Sequence, residues 1–194
     1  MIVPHKTQCY GDSQDPPEEG IPMCTLRNFP NQIEHCIEWG RDKFNDLFVD
    51  TPSDLVQFLN NEKVFLGNLK SNSTTAGTKS SLEKIANAIA MKKSADYAAC
   101  VAQAKSKFND YYDHSIRDLL SIFPKDHKDK EGSPFWSGPK RCPSPVTFSA
   151  DEPIHMEFIL SYANLIAANL NIPQRPREKD GSVPKEVVEM ARNA

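Results

Sequence analysis

Ser94 to Ile122 carries the longest unbroken helical period in the chain. Tyr97, Val101, Ala104, Phe108, Tyr111, Tyr112, Ile116, Leu119 and Leu120 recur along it, a spacing that puts them on one side of a helix of about 3.6 residues per turn. Phe123-Pro124 ends the run, because proline cannot continue a helix. A helix of this length must bury its stripe, and no segment of the chain shows the strict alternation of a half-buried strand to receive it. The partners must then be other helices. The chain reads as mainly α: a compact multi-helix domain with long ordered loops and little or no β.

Those partners are readable. Ile33, Ile37, Phe44, Leu47 and Phe48 give a helix with one buried face, with Asn31 as its N-cap and Glu34 completing a capping-box pair. Thr51-Pro52-Ser53 is expected to break it, and Ser53 to cap the next helix, which carries Leu55, Val56, Phe58 and Leu59. Helix continues over 60–70 with Gly67 and Asn68 as stop signals, and Ser71 to Ser80 is expected to be a mobile polar loop. Ser81 caps a helix with Leu82, Ile85, Ala86 and Ile89. Lys125 to Ala150 is rich in proline and glycine and predicts a long loop, yet Phe135 and Trp136 argue that it is ordered. Pro153 sits at the first position of a helix ending near Asn171. Beyond it lies a polar linker, and a short last helix is expected from Pro184. The predicted organisation is an extended connecting arm at 1–20, the helical domain at 21–172, and a linker with a terminal helix at 173–194.

Bulk properties exclude several classes. The formal net charge of −3 over 194 residues does not suit a nucleic-acid binder driven by charge. No apolar run is long enough to cross a membrane, and Met1 to Lys6 lacks the apolar stretch of a signal peptide. Five cysteines, widely spaced and without a Cys-x-x-Cys, make neither a disulfide framework nor a zinc site. The expected compartment is cytoplasmic and nuclear, with reduced thiols. No glycine-rich phosphate loop is present among eight glycines, so no cofactor site is expected within this chain.

One segment carries the features of a reactive site. In Pro22-Met23-Cys24-Thr25-Leu26-Arg27-Asn28-Phe29-Pro30, a cysteine lies between two prolines, with a hydroxyl, a cation and an amide close behind it. A thiol beside positive charge and free backbone donors favours the thiolate. The plainer reading, a small buried apolar cysteine, stays open from local chemistry alone.

The same residues bear a family resemblance. Pro22 to Pro30 resembles the active-site segment of the ubiquitin-activating enzymes, and Ser13 to Glu18 resembles the arm that leads into it. Gly132-Ser133-Pro134-Phe135-Trp136-Ser137-Gly138-Pro139-Lys140-Arg141, about 110 residues further on, is a second match, with others over Asn31 to Phe48 and Pro153 to Asn164. The similarity covers most of residues 3–172 and points to the second catalytic cysteine half-domain. It implies that Cys24 takes the carboxyl end of ubiquitin from an adenylate as a thioester and passes it to a ubiquitin-conjugating enzyme. Thr25 and Arg27 would support that step. The resemblance further implies that ATP and magnesium act in a separate adenylation domain, so that this chain alone is inactive. The contrasting reading is a non-catalytic helical interaction module.

The remaining nucleophiles and bases are less telling. Cys36 and Cys100 lie in helical patterns and are expected to pack between helices, while Cys9 lies in the arm and Cys142 follows two cations. None of the five histidines is near Cys24 in sequence, which weighs against a cysteine protease, although His114 or His155 could be folded back towards it. Phe135 and Trp136 have two readings, a binding surface or a pin that holds the loop.

Overall fold

The computed structural model describes residues 7, 29–72, 74–93 and 96–194. Its helices are α1 (Ile33–Asn45), α2 (Thr51–Asn60), α3 (Glu62–Asn72), α4 (Thr75–Lys93), α5 (Tyr97–Asn109), α6 (Ser115–Ile122), α7 (Pro153–Leu170) and α8 (Lys185–Asn193). A π-helical turn, Asp46–Asp50, joins α1 to α2 without a break, and another, Asp110–His114, joins α5 to α6. The protein is mainly α, as its periodicity predicts. Among the described residues the only extended pairing is a single bridge between Lys128 and Pro134.

The core forms where α5 meets α7, with α8 packed across α5. Cys100, Val101, Ala104 and Phe108 enter from α5, and Met156, Ile159, Leu160, Ala163, Ile166 and Ala167 from α7. Val187 and Ala191 of α8 complete it. Ala104, Ala163, Ala167, Ala191 and Cys100 are small and wholly buried, which lets the helix backbones approach closely. Among the described residues Ile159, Val101 and Val187 are the larger aliphatic side chains wholly removed from water, each contributing about 1.5–3 kcal/mol of transfer free energy.

Local chemistry sets the ends of these helices. Asp96 caps α5 by accepting from the Ala99 N–H at 2.7 Å. Asn171 adopts the left-handed conformation at φ 59° and ends α7. The Ile172 N–H then reaches the Ala167 carbonyl at 2.8 Å and the Asn171 N–H reaches Ala168 at 3.1 Å, while Ile172 folds onto the core. That pairing of bonds and apolar contact is a Schellman motif.

The chain after Pro173 is fastened to this core. Arg175 lays its guanidinium over the Tyr97 ring at 4.9 Å, and its backbone exchanges two hydrogen bonds with the Asn164 side chain, which also accepts from Tyr97 Oη at 2.8 Å. Lys105 donates to the Ala191 carbonyl at 2.9 Å, satisfying a group in the last turn of α8.

Several boundaries differ from the sequence expectation. Pro52 does not break the first helix: it falls in the first turn of α2, directly after the π-helical turn, where the backbone hydrogen-bond register changes. The wider turn is closed by Thr51 Oγ1 donating to the Asp46 carbonyl at 2.7 Å. Gly67 does not stop α3, which runs on to Asn72, and Ser71 Oγ donates back to the Gly67 carbonyl. The expected polar loop at 71–80 is largely helix. Thr74 caps α4, its hydroxyl accepting from the Gly77 N–H at 3.2 Å, and Ser81 lies inside the helix. The cap of α1 is Gln32 rather than Asn31, and no side chain bonds there. Asn31 instead turns its amide to the Phe29 carbonyl.

Candidate functional site

Cys24, Thr25 and Arg27 lie outside the described residues, as does Cys9. Phe29, five residues after Cys24, has a well-defined seat. Its ring meets Phe135 edge-on at 5.8 Å and Trp136 at 5.9 Å. Lys140 Nζ lies 5.6 Å from the Phe29 ring centre and 4.6 Å from that of Phe135, within the range of a cation–π contact. The backbone here is held as well: Asn31 Nδ2 donates to the Phe29 carbonyl at 3.2 Å, and the Asn31 N–H donates to His35 Nδ1 at 3.2 Å.

The loop at 125–150 builds this seat from the end of α6. Phe135 stacks flat on Phe123, with ring centres 4.3 Å apart and planes 4° from parallel, and His127 meets both rings edge-on. The Trp136 indole N–H donates to the carbonyls of Phe123 and Pro124, each at 3.0 Å. Asp129 Oδ1 accepts from the N–H groups of Glu131 and Ser133 at 2.9 Å, tightening the turn that Gly132 closes with φ 85°. Further along, the Val146 N–H donates to the Tyr112 carbonyl at 2.7 Å, a backbone bond from the loop to the second π-helical turn. Of the two sequence readings for Phe135 and Trp136, the pin is realised, and what it pins includes Phe29. Sequence reasoning missed Phe29 itself. The signal was an aromatic residue beside Pro30 with no helical periodicity to absorb it.

The second feature is an open apolar groove of about 680 Å³ between α1 and α7. Trp39, Phe44, Phe48, Tyr112, Ile154 and Phe158 are among the residues lining it. Ile33 and Ile37, expected on a buried face of α1, are 66% and 64% exposed, and Cys36 is exposed between them. The expectation that Cys36 packs between helices is therefore corrected: nothing covers that side of α1 among the described residues.

Beneath the groove, Tyr111 and Tyr162 share a hydrogen bond. Burial, with the nearby Asp46 carboxylate, pushes the Tyr111 hydroxyl up to about 12; burial, with the Tyr111 hydroxyl beside it, raises that of Tyr162. Both hydroxyls stay protonated near neutral pH.

The other nucleophiles and bases are structural. Cys100 is wholly buried, and burial raises its thiol. Cys142 is half-buried with Sγ 3.7 Å from the Pro143 carbonyl. His155 Nδ1 accepts from the Ser149 N–H at 3.1 Å and its ring packs on Phe108 at 4.7 Å. His114 is exposed and pairs with Asp110 at 3.3 Å. Among the described residues no three His, Cys, Asp or Glu side chains gather as metal ligands, and no helix is long and apolar enough to cross a membrane.

Comparison with known proteins adds what geometry does not. The family described as ubiquitin-activating enzyme, SCCH domain, matches residues 30–193. The chain belongs to that family. The SCCH domain is similar over 178 residues, at 43% identity, to ubiquitin-like modifier-activating enzyme 1 of Dictyostelium discoideum, a match spanning 89% of this chain and 17% of the relative. The human protein of the same name is 40% identical over 169 residues, covering 86% of this chain and 16% of its own length. Ubiquitin-activating enzyme E1 1 of Schizosaccharomyces pombe is 39% identical over 172 residues, covering 89% and 17%. The SCCH domain thus spans about a sixth of the length of these relatives.

Proposed function

We propose that this SCCH domain supplies the thioester-forming cysteine, Cys24, of a ubiquitin-activating enzyme. The observation that carries the reading is the family match over residues 30–193, which begins six residues after Cys24, at the last residue of the Cys-Thr-Leu-Arg-Asn-Phe-Pro segment. The relatives' names, which describe activation of ubiquitin and like modifiers, support the same reading.

In this reading the Cys24 thiolate attacks the carbonyl carbon of ubiquitin adenylate. A carbon–sulfur bond forms, the carbon–oxygen bond to the phosphate breaks, and AMP leaves with the electron pair. A mixed anhydride is already activated, so the protein's task is to place the thiolate and to stabilise charge at the developing oxyanion. Arg27 contributes a permanent positive charge close in sequence to Cys24, and Thr25 contributes a hydroxyl donor. Thiol exchange then carries ubiquitin to the cysteine of a conjugating enzyme, an exchange between similar thiols that is close to neutral in free energy.

ATP and magnesium belong to the adenylation domain of the whole enzyme. This chain has no glycine-rich phosphate loop with which to hold them, so the domain alone is inactive towards free ubiquitin. The partners are ubiquitin, conjugating enzymes and the adenylation domain, and the site of action is cytoplasmic and nuclear.

The test uses the whole enzyme carrying this domain. Cys24→Ala is expected to abolish the reducible ubiquitin adduct while ATP–pyrophosphate exchange, which reports adenylation, continues. An adduct that survives the substitution would remove Cys24 from this role, and loss of both signals would make it a structural residue.

A further inference from the structure

We propose that Phe29 is a positioning residue for Cys24: the seat formed by Phe135, Trp136 and Lys140 anchors the chain just after the cysteine and so fixes where the thiol can be presented. The proposal rests on Cys24 being the thioester cysteine and deepens that reading.

Five residues separate Cys24 from Phe29, and an extended chain advances at most about 3.3–3.6 Å per residue, so an anchored Phe29 confines Cys24 to within roughly 18 Å. Without the anchor, the next fixed point is Asn31, whose N–H donates to His35 Nδ1 in the first turn of α1. The anchor shortens the leash by two residues, and Pro30 restricts the backbone on the helix side of it.

The seat is built for holding. Two rings meet Phe29 edge-on, a cation sits against it, and its carbonyl accepts from Asn31. The seat is in turn fixed to the last turn of α6 by the Phe123–Phe135 stack and by both indole hydrogen bonds of Trp136. Phe29 and the loop at 132–141, more than a hundred residues apart in sequence, thus meet in one corner of the molecule.

The seat is also separate from the main core. Phe29, Phe123, Phe135 and Trp136 belong neither to the buried cluster of α5, α7 and α8 nor to the side chains packed on it. A cluster standing apart from the core can be loosened with little cost to the fold. That separates a positioning role from a stabilising one.

The experiment is single-turnover transfer of ubiquitin from its adenylate to Cys24 in the whole enzyme, with ATP–pyrophosphate exchange and melting temperature measured on the same preparations. Misplacement of a reacting group by about 1 Å can cost on the order of a hundredfold, so Phe29→Ala and Phe135→Ala are expected to slow thioester formation roughly 10- to 100-fold. Pyrophosphate exchange should be unchanged in both. Phe29→Tyr, which keeps the ring, should restore the wild-type rate. Val187→Ala, which thins the core outside the seat, should lower the melting temperature and leave the transfer rate alone. Transfer at the wild-type rate in Phe29→Ala overturns the proposal, as does an equal slowing by Val187→Ala, which would make the effect one of stability. Cys24→Ala runs alongside: an adduct surviving there defeats the thioester reading itself, whereas its loss together with a normal rate in Phe29→Ala defeats only the anchor.

Discussion

The α5–α7–α8 side and the α1–α2 side of the molecule have similar helical periodicity and opposite burial. Five residues of α5 and seven of α7 are buried, whereas α1 and α2 have none. On the second side Ile33, Ile37, Phe44, Val56 and Leu59 keep 45–66% of their surface exposed. Stability is therefore concentrated in one half, and apolar surface free to meet other groups in the other.

The sharpest test of the contrast compares two cysteines. Cys36 on α1 is exposed, whereas Cys100 on α5 is wholly buried. Native-state alkylation followed by mass spectrometry should label Cys36 at once. Cys100 should be labelled only through unfolding, with a rate lower by orders of magnitude if the opening costs a good part of a typical stability of about 5–15 kcal/mol. Comparable rates would show that the α5–α7 side opens as readily as α1.

The next effect is energetic. Ile159→Ala removes a wholly buried side chain from the centre of the core and should destabilise the domain by about 2–5 kcal/mol in urea denaturation. Ile37→Ala, on an exposed face, should fall within about 0.5 kcal/mol of wild type. A large loss at Ile37 would mean that α1 has a cover in solution.

Periodicity could reveal α5 and α7 but not this asymmetry, because it reports that a face is apolar and says nothing of what covers it. Tyr97, Val101, Ala104 and Phe108 were legible since α7 is there to receive them, and Pro153 marked the start of α7 for a chemical reason. Ile33 and Ile37 gave the same signal with no receiver among the described residues. Pro52 and the Ser/Thr-rich stretch at 71–80 misled for another reason: position within a helix, set by a π-helical turn and by the Thr74 cap, outweighed residue preference. At the site, Cys24 stood out only through the resemblance of its segment to a family. Phe29 could not be paired with Phe135 from sequence, because their contact spans more than a hundred residues and follows no local rule.

A smaller effect concerns the start of the core side. Asp96 accepts from the Ala99 N–H at the head of α5, and Asp96→Ala should cost about 1 kcal/mol, the usual worth of such a cap. The α1 start has no side-chain cap, so Gln32→Ala should be silent in the same denaturation assay. Equal effects at the two positions would show that the ends of both helices depend alike on their caps.

The smallest expected effect lies on the rim of the core side. Arg177 grips Glu157 of α7 with both terminal guanidinium nitrogens, and that hydrogen-bonded pairing holds the Glu157 carboxyl below its ordinary value. A depressed carboxylate pKa contributes stability that is fully present above the ordinary value of 4.5 and is lost as pH falls through the lowered one. The pair is close to half-exposed, so water and salt screen it strongly. Glu157→Gln should therefore lower the melting temperature slightly at neutral pH, less at high salt, and not at all once acid has protonated the wild-type carboxyl. A difference that persisted undiminished in acid would assign the effect to packing of the Glu157 stem along α7. The rim of the stable half would then owe its order to apolar contact, as its centre does.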